Sequence, residues 1–156
     1  MQSAELTPKQ RSFAESLVAA RGHALLFVAN IEKHKGRSKI ESRILIVSDM
    51  RVTTLKNGAF GKMSVRRDGH LYDLRSVTCS PDDPQTLHLV FSSFLLSFRS
   101  PRAAEVVRVL RLALRRITRH FPATRLPRID LPPALMAAYK ARFDRAEESF
   151  ALPPVD

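Results

Sequence analysis

The chain has 156 residues, 44% of them hydrophobic, and a net charge of +11. That length fits one domain with flanking segments and is short for two independent cores. A single cysteine, Cys79, excludes an internal disulfide and a cysteine-based zinc cluster and points to a reducing compartment, while the excess of lysine and arginine points to an acidic partner: an anionic membrane surface, nucleic acid or an acidic protein.

Thr7 is placed to cap a first helix, with Pro8 at its start and Phe13, Ala14, Leu17 and Val18 recurring at helical spacing. Arg21-Gly22 ends it. A β-run over residues 23–31, a basic loop over 32–38 and a second run over 39–47 form a long hairpin, in which Ile40, Ile44 and Ile46 share one strand face. Residues 51–55 read as a third strand entered through the turn Ser48-Asp49-Met50, and Asn57-Gly58 marks the next turn. Residues 61–65 and 71–78 are the fourth and fifth strands, joined by the Asp68-Gly69 turn. Cys79, which follows the fifth, reads as a buried small residue. The prolines and aspartates of 80–84 make a loop, after which Leu87, Leu89 and Phe91 alternate and 94–98 forms the last strand.

The strands end in an arginine-studded helix over residues 100–121, with Ser100 as N-cap, Pro101 at the first helical position and Pro122 as the stop. On a helical wheel Ala103, Val106, Val107, Leu110, Ala113, Leu114, Ile117 and Phe121 share one face, and Arg108, Arg111, Arg115 and Arg119 lie opposite. The apolar face is core. The arginine face is either solvated surface or an anion-binding one. The wheel puts Leu112 beside the arginines, where an exposed leucine is either incidental or a contact for a second copy or a following domain.

The segment 123–156 shifts to proline and mixed charge, although 134–150 retains a partly helical pattern. It reads as a connector towards a further domain. The domain plan is thus a helical extension over 1–22, a strand-rich domain over 23–122 and a tail over 123–156. The first nine residues are polar, unlike a secretory signal, and no apolar run approaches the ~20 residues of a spanning helix, so the expectation is a soluble cytoplasmic protein.

No enzyme is legible in the chain. His23, His34, His70, His88 and His120 lack metal-ligand spacing, Cys79 has no evident base, and there is neither a phosphate-cradling glycine loop nor a nucleophile elbow. The reading needs no metal and no cofactor. Nucleic acid is the weaker candidate among acidic partners, because the basic stretches lack interleaved aromatics for stacking.

An N-terminal helix, six or seven short antiparallel strands and a capping C-terminal helix is an α+β layout that resembles a pleckstrin homology-like (PH-like) barrel or sandwich. More specifically, the chain resembles the N-terminal domain of the CARMIL family over residues 5 to 130. The resemblance is carried by Glu41-Ser42-Arg43-Ile44-Leu45-Ile46-Val47-Ser48 with Arg51-Val52, by Tyr72-Asp73-Leu74-Arg75-Ser76-Val77, by Leu96-Ser97-Phe98-Arg99-Ser100, and most closely by Leu114-Arg115-Arg116-Ile117-Thr118-Arg119-His120-Phe121-Pro122. It implies a membrane-targeting and interaction module of a large cytoskeletal or signalling scaffold involved in actin regulation, with leucine-rich repeats following the domain. It also implies a protein that is peripheral at the membrane or the cytoskeleton.

The resemblance directs attention to the hairpin loop, where PH domains receive phosphoinositide headgroups. Here that loop supplies Lys33, Lys35, Arg37 and Lys39, with Arg43 entering the next strand. The usual headgroup pattern puts two basic residues, two positions apart, at the start of the second strand, whereas the partner of Arg43 is Glu41. A carboxylate there repels phosphate. The expectation is therefore diffuse attraction to anionic phospholipid with low headgroup selectivity, to which Arg108, Arg111, Arg115 and Arg119 add long-range attraction. At ~1 kcal/mol per basic residue near an anionic leaflet, five residues give ~5 kcal/mol, a weak and salt-sensitive association. The alternative is a protein-interaction or dimerisation module of the same fold, in which a peptide adds to a strand edge or binds beside the capping helix.

Overall fold

In the computed structural model, which describes residues 5–35, 39–121 and 126–131, two helices flank one folded-over sheet. Helix α1 (Pro8–Ala20) precedes strands β1 (Leu25–Lys35), β2 (Lys39–Ser48), β3 (Arg51–Asn57) and β4 (Met63–His70). These are followed by β5 (Leu74–Ser80), β6 (Asp83–Phe91), β7 (Leu95–Arg99), helix α2 (Ala103–His120) and a short β8 (Arg128–Asp130). The strand order is β4-β3-β2-β1-β7-β6-β5-β8. Neighbours pair antiparallel throughout, except that β8 lies parallel to β5.

Strand β1 is where the sheet folds over. It pairs with β2 from Leu25↔Ser48 to Lys35↔Lys39, but meets β7 only at Glu32↔Arg99 and Lys33↔Phe98. The two halves then face each other: Leu45, Val47 and Val52 share a buried cluster with Leu74, Val77, Leu87, Leu89, Leu96 and Phe98. Helix α2 completes that cluster with Val106, Leu110, Ala113 and Ile117, all at most 2% exposed. This is the α+β sandwich capped by a helix that the strand spacing predicts. Arg99 links the halves at the fold-over, its Nη1 lying 3.9 Å from the Glu32 carboxylate of β1 while its Nε donates to Asp83 of β6 at 2.9 Å.

Helix α1 is fixed by the cap read at Thr7, which Gln10 completes into a capping box. The Thr7 Oγ1 accepts from the Gln10 amide at 3.1 Å, and the Gln10 Oε1 accepts from the Thr7 amide at 3.0 Å, satisfying two otherwise orphaned donors. Ala14 and Val18 of α1 cover Val28, Ile44, Ile46 and Leu55 on the outer face of the first half-sheet. That covering explains why β2 is buried without alternation over its last six residues, Arg43–Ser48. Phe13, which the spacing assigns to the same helix face, is 38% exposed. At the far end of α1, Arg21 donates to Asp68 at 3.2 Å, and Asp68 also accepts from Arg51 at 3.0 Å and from the Thr53 Oγ1 at 2.8 Å, tying the helix to β3 and β4.

Several boundaries differ from the sequence expectation, each for a local reason. Residues 32–35 are strand rather than loop, because the hairpin ladder continues with Lys33 opposite Glu41, a favourable cross-strand charge pair. Helix α2 begins at Ala103. The Ser100 Oγ accepts from the Arg102 amide at 3.0 Å and the Ser100 carbonyl from the Ala103 amide at 3.2 Å, so Ser100 and Pro101 form a turn ahead of the helix and Arg102 takes the N-cap position. Phe121, expected on the core face, is 57% exposed beyond the last turn. Part of the expected connector also joins the domain: Arg128–Asp130 pairs with Ser76, Val77 and Thr78, and Leu131 enters the core at 9% exposure. The helical pattern over 134–150 lies outside the described residues.

The clearest correction concerns Leu112. It is 6% exposed, not on the open arginine face. Val109, at 0%, and Arg116, with only 10% of its side chain exposed, lie on the same flank, and Arg116 pairs with Asp49 of the β2–β3 turn at 3.6 Å. The buried sector of α2 is therefore wider than one stripe, with Val109 in the core cluster and Leu112 and Arg116 also withdrawn from solvent. Leu112 is thus unavailable as the surface contact for a second copy or a following domain that the wheel suggested.

Candidate functional site

The β1–β2 hairpin presents the basic residues singled out in the sequence, and the structure sorts them. Lys39 is open to solvent, with 72% of its side chain exposed and its Nζ 3.8 Å from the Glu41 Oε1. Lys33 lies within the ladder, half-buried opposite Glu41. The Lys35 backbone closes the hairpin against Lys39, while its side chain and the whole of Arg37 lie outside the described residues.

Arg43 is in a different environment. Its side chain is 2% exposed, it donates from Nη2 to the Glu41 carboxylate, and from Nη1 to the Ser42 carbonyl at 3.0 Å. It lines a cleft of about 320 Å³ under the first turn of α1, with Thr7, Gln10, Asn30 and Asn57. The guanidinium is held by its own neighbour on the strand, whose alternation puts Arg43 in step with Leu45 and Val47 and opposite Ile31. Glu41 does more than repel phosphate, since it engages both Arg43 and Lys39. A bidentate grip on one headgroup needs two free basic groups in register, and this pair is closed internally.

Topology brings further basic groups to the hairpin end. Strands β2 and β3 pair antiparallel through Ile44↔Leu55 and Val47↔Val52, so the start of β2 and the end of β3 point the same way. Lys56, near the end of β3, and the exposed Lys62 of the β3–β4 loop therefore share an end with Lys39. Lys9 of α1 reaches the same loop, its Nζ lying 3.2 Å from where a Cβ on Gly61 would stand. The sequence reading missed these lysines because they come from three separate segments. The near-symmetric run Lys56-Asn57-Gly58-Ala59-Phe60-Gly61-Lys62 was the available signal.

The arginines of α2 form a separate surface. Arg108 and Arg111 are half-buried, and Arg115 and Arg119 are exposed. The Arg116–Asp49 pair places the C-terminal half of α2 beside the β2–β3 turn, at the opposite end of the first half-sheet from the hairpin tip. Among the described residues no group of three or more His, Cys, Asp or Glu is placed to hold a metal, and no helix is long and apolar enough to cross a membrane. Cys79 is half-buried, and burial, with Asp83 and Asp130 nearby, pushes its thiol up, away from the reactive thiolate.

No known protein family matches the chain by sequence, and no curated protein matches it. Solved structures do. Human RhoA in complex with the DH/PH fragment of PDZRHOGEF matches with a TM-score of 0.54 at 10% identity, over 71% of this chain and 34% of that one. A mutant of the DH/PH domains of p115-RhoGEF matches with a TM-score of 0.51 at 9% identity, over 69% of this chain and 34% of that one. The N-terminal PH domain of human ARAP2 gives a TM-score of 0.49 at 13% identity, over 64% of this chain and 84% of that one. The chain spans about a third of the RhoGEF fragments it matches. At these identities the likeness to the RhoGEF fragments is one of fold: the strands and capping helix described above have a PH-like fold.

Proposed function

We propose that this PH-like domain is a non-catalytic membrane-targeting and interaction module of a larger cytoskeletal or signalling scaffold, as the resemblance to the CARMIL N-terminal domain implies. Its hairpin end associates with anionic phospholipid through charge, with low headgroup selectivity, at the cytoplasmic surface of a membrane. The observation that carries this reading is the convergence of Lys9, Lys39, Lys56 and Lys62 from three segments on one end of the sandwich, next to a Glu41–Arg43 pair closed on itself. Dispersed lysines give attraction without a fixed geometry, and each contributes ~1 kcal/mol near an anionic leaflet. Lys35 and Arg37 continue the same charge at the hairpin turn.

Sedimentation with phosphatidylcholine vesicles, with and without phosphatidylserine or a phosphoinositide, tests the reading. Binding should follow total negative charge and weaken steeply as salt rises, since exposed charges are screened within about 8 Å at physiological ionic strength. Lys35→Glu/Arg37→Glu/Lys39→Glu should abolish it without unfolding. Equal binding to neutral and anionic vesicles, or a strong preference among phosphoinositides of equal charge, overturns the diffuse mechanism. If no vesicle binds, the same fold serves a protein partner instead.

A further inference from the structure

The β3–β4 loop carries a side chain that packing does not explain. Phe60 is fully exposed, at 102% of its reference area, and its backbone is left-handed, at φ 59° and ψ 27°. It is the only non-glycine residue with positive φ among those described. An L-residue with a bulky side chain is strained in that region, which glycine or asparagine occupies at little cost. Here the strain brings no buried contact in return. The loop around it is nevertheless well closed, with the Gly58 amide donating to the Lys62 carbonyl at 2.6 Å and the Lys62 amide to the Ala59 carbonyl at 3.2 Å. Gly61 follows at φ 73°, so two successive left-handed residues form the tip.

A lone exposed apolar residue needs no explanation. This one stands on a loop with lysines, at the same end of the sheet as a second exposed apolar side chain. Following β2 and β3 away from the Ile44↔Leu55 pair leads to Ile40, 60% exposed, on one strand and to Phe60 on the other. Lys9, whose Nζ lies 3.2 Å from where a Cβ on Gly61 would stand, and Lys62 belong to this tip, and Lys39 and Lys56 to the same end of the sheet. An exposed apolar tip accompanied by ammonium groups fits the boundary of an anionic bilayer, where the phenyl group enters the acyl edge and the lysines remain at the headgroups.

We infer that Phe60 is a membrane-insertion residue, which the turn holds outward so that it enters the lipid interface when the surrounding lysines meet an anionic surface. The inference rests on the membrane reading above and adds a depth-dependent apolar contact to charge alone.

Because the chain has no tryptophan, Phe60→Trp supplies a single fluorophore at the tip. With vesicles of phosphatidylcholine and phosphatidylserine its emission should shift to the blue, and phosphatidylcholine brominated along the acyl chain should quench it. Phe60→Gly, and in parallel Phe60→Asn, suit the left-handed backbone and should melt no lower than the parent. Both should bind these vesicles about tenfold more weakly, equivalent to ~1.4 kcal/mol, and the residual binding should be more salt-sensitive. If the tryptophan stays unquenched on vesicles that sediment the parent protein, or if both variants bind like the parent, insertion is wrong and charge-driven binding stands. If the parent sediments with no anionic vesicle, both readings fall.

Discussion

Arg43 donates its guanidinium to the carboxylate of Glu41, two residues earlier on the same strand, with 2% of the arginine side chain and 17% of the glutamate side chain exposed. The pair decides what the hairpin is able to grip. A sequence scan counts Arg43 among the phosphate-binding cations, but the folded chain has already spent that charge on its own carboxylate.

The pair makes a stability prediction separable from binding. Glu41→Gln leaves the Arg43 charge buried without its counter-ion and should destabilise the domain by about 3 kcal/mol in denaturant titration. Replacing both, as Glu41→Leu/Arg43→Met, should restore most of that loss, because a buried ion pair and a well-packed apolar pair are of similar stability. The double variant should still bind anionic vesicles. A large loss of binding in a folded double variant would show that Arg43 reaches the lipid after all.

A second prediction follows from the burial of Leu112. Leu112→Asp should destabilise by several kcal/mol, comparably to Leu110→Asp, because either carboxylate enters a site with little access to water. Arg119→Ala on the exposed side should fall within about 0.5 kcal/mol of the parent. Thermal melts of the three variants check this, and a Leu112→Asp protein that melts with the parent would return the residue to the surface.

The third concerns pH. Burial lowers His23, with Arg51 and Arg21 reinforcing the shift against Asp49 and Asp68; burial also lowers His70, with Arg51 and His23 acting the same way against Asp73 and Asp68. Both ordinarily titrate near 6.5. Since the folded state resists protonation, the unfolded chain binds more protons below that value. The stability these groups contribute is therefore intact above about pH 6.5 and is lost as the pH falls towards their folded values. Melting temperature should drop between about pH 7 and about pH 5, and His23→Gln/His70→Gln should flatten the drop. Asp83, whose carboxyl is held low chiefly by its hydrogen bond from Thr86, acts only in the more acid window below its ordinary 3.8.

Much of the succession of strands was legible because alternation and turn residues are local signals, although Asp68-Gly69, read as a turn, lies inside β4. Leu87, Leu89 and Phe91 alternate as expected and are all buried, and Thr7 and Pro8 start α1 as read. What escaped depended on contacts distant in sequence. Arg128–Asp130 is too short to show a period, and only its pairing with β5 makes it a strand. The Ile44 and Ile46 face reads as core, but nothing local says that α1 rather than the sandwich interior covers it. The unbroken apolar run Ile44-Leu45-Ile46-Val47 was the available clue that both faces are covered. The wheel misplaced Leu112 because it allowed for one narrow stripe, whereas the buried sector of α2 also takes in Val109 and Leu112. At the candidate site, Glu41 was readable from its position, whereas the convergence of Lys9 and Lys62 exists only in three dimensions.

The covering of the first half-sheet by α1 also bears on how the protein behaves in crowded solution. Lifting the helix away would uncover Val28, Ile44, Ile46 and Leu55 together, an apolar strip across three paired strands. Such a strip invites a second molecule to stack against it, and the outcome would then depend on concentration rather than on intrinsic stability. The capping box at one end of α1 and the Arg21–Asp68 contact at the other therefore keep that strip covered, and loosening either should make association rise with protein concentration.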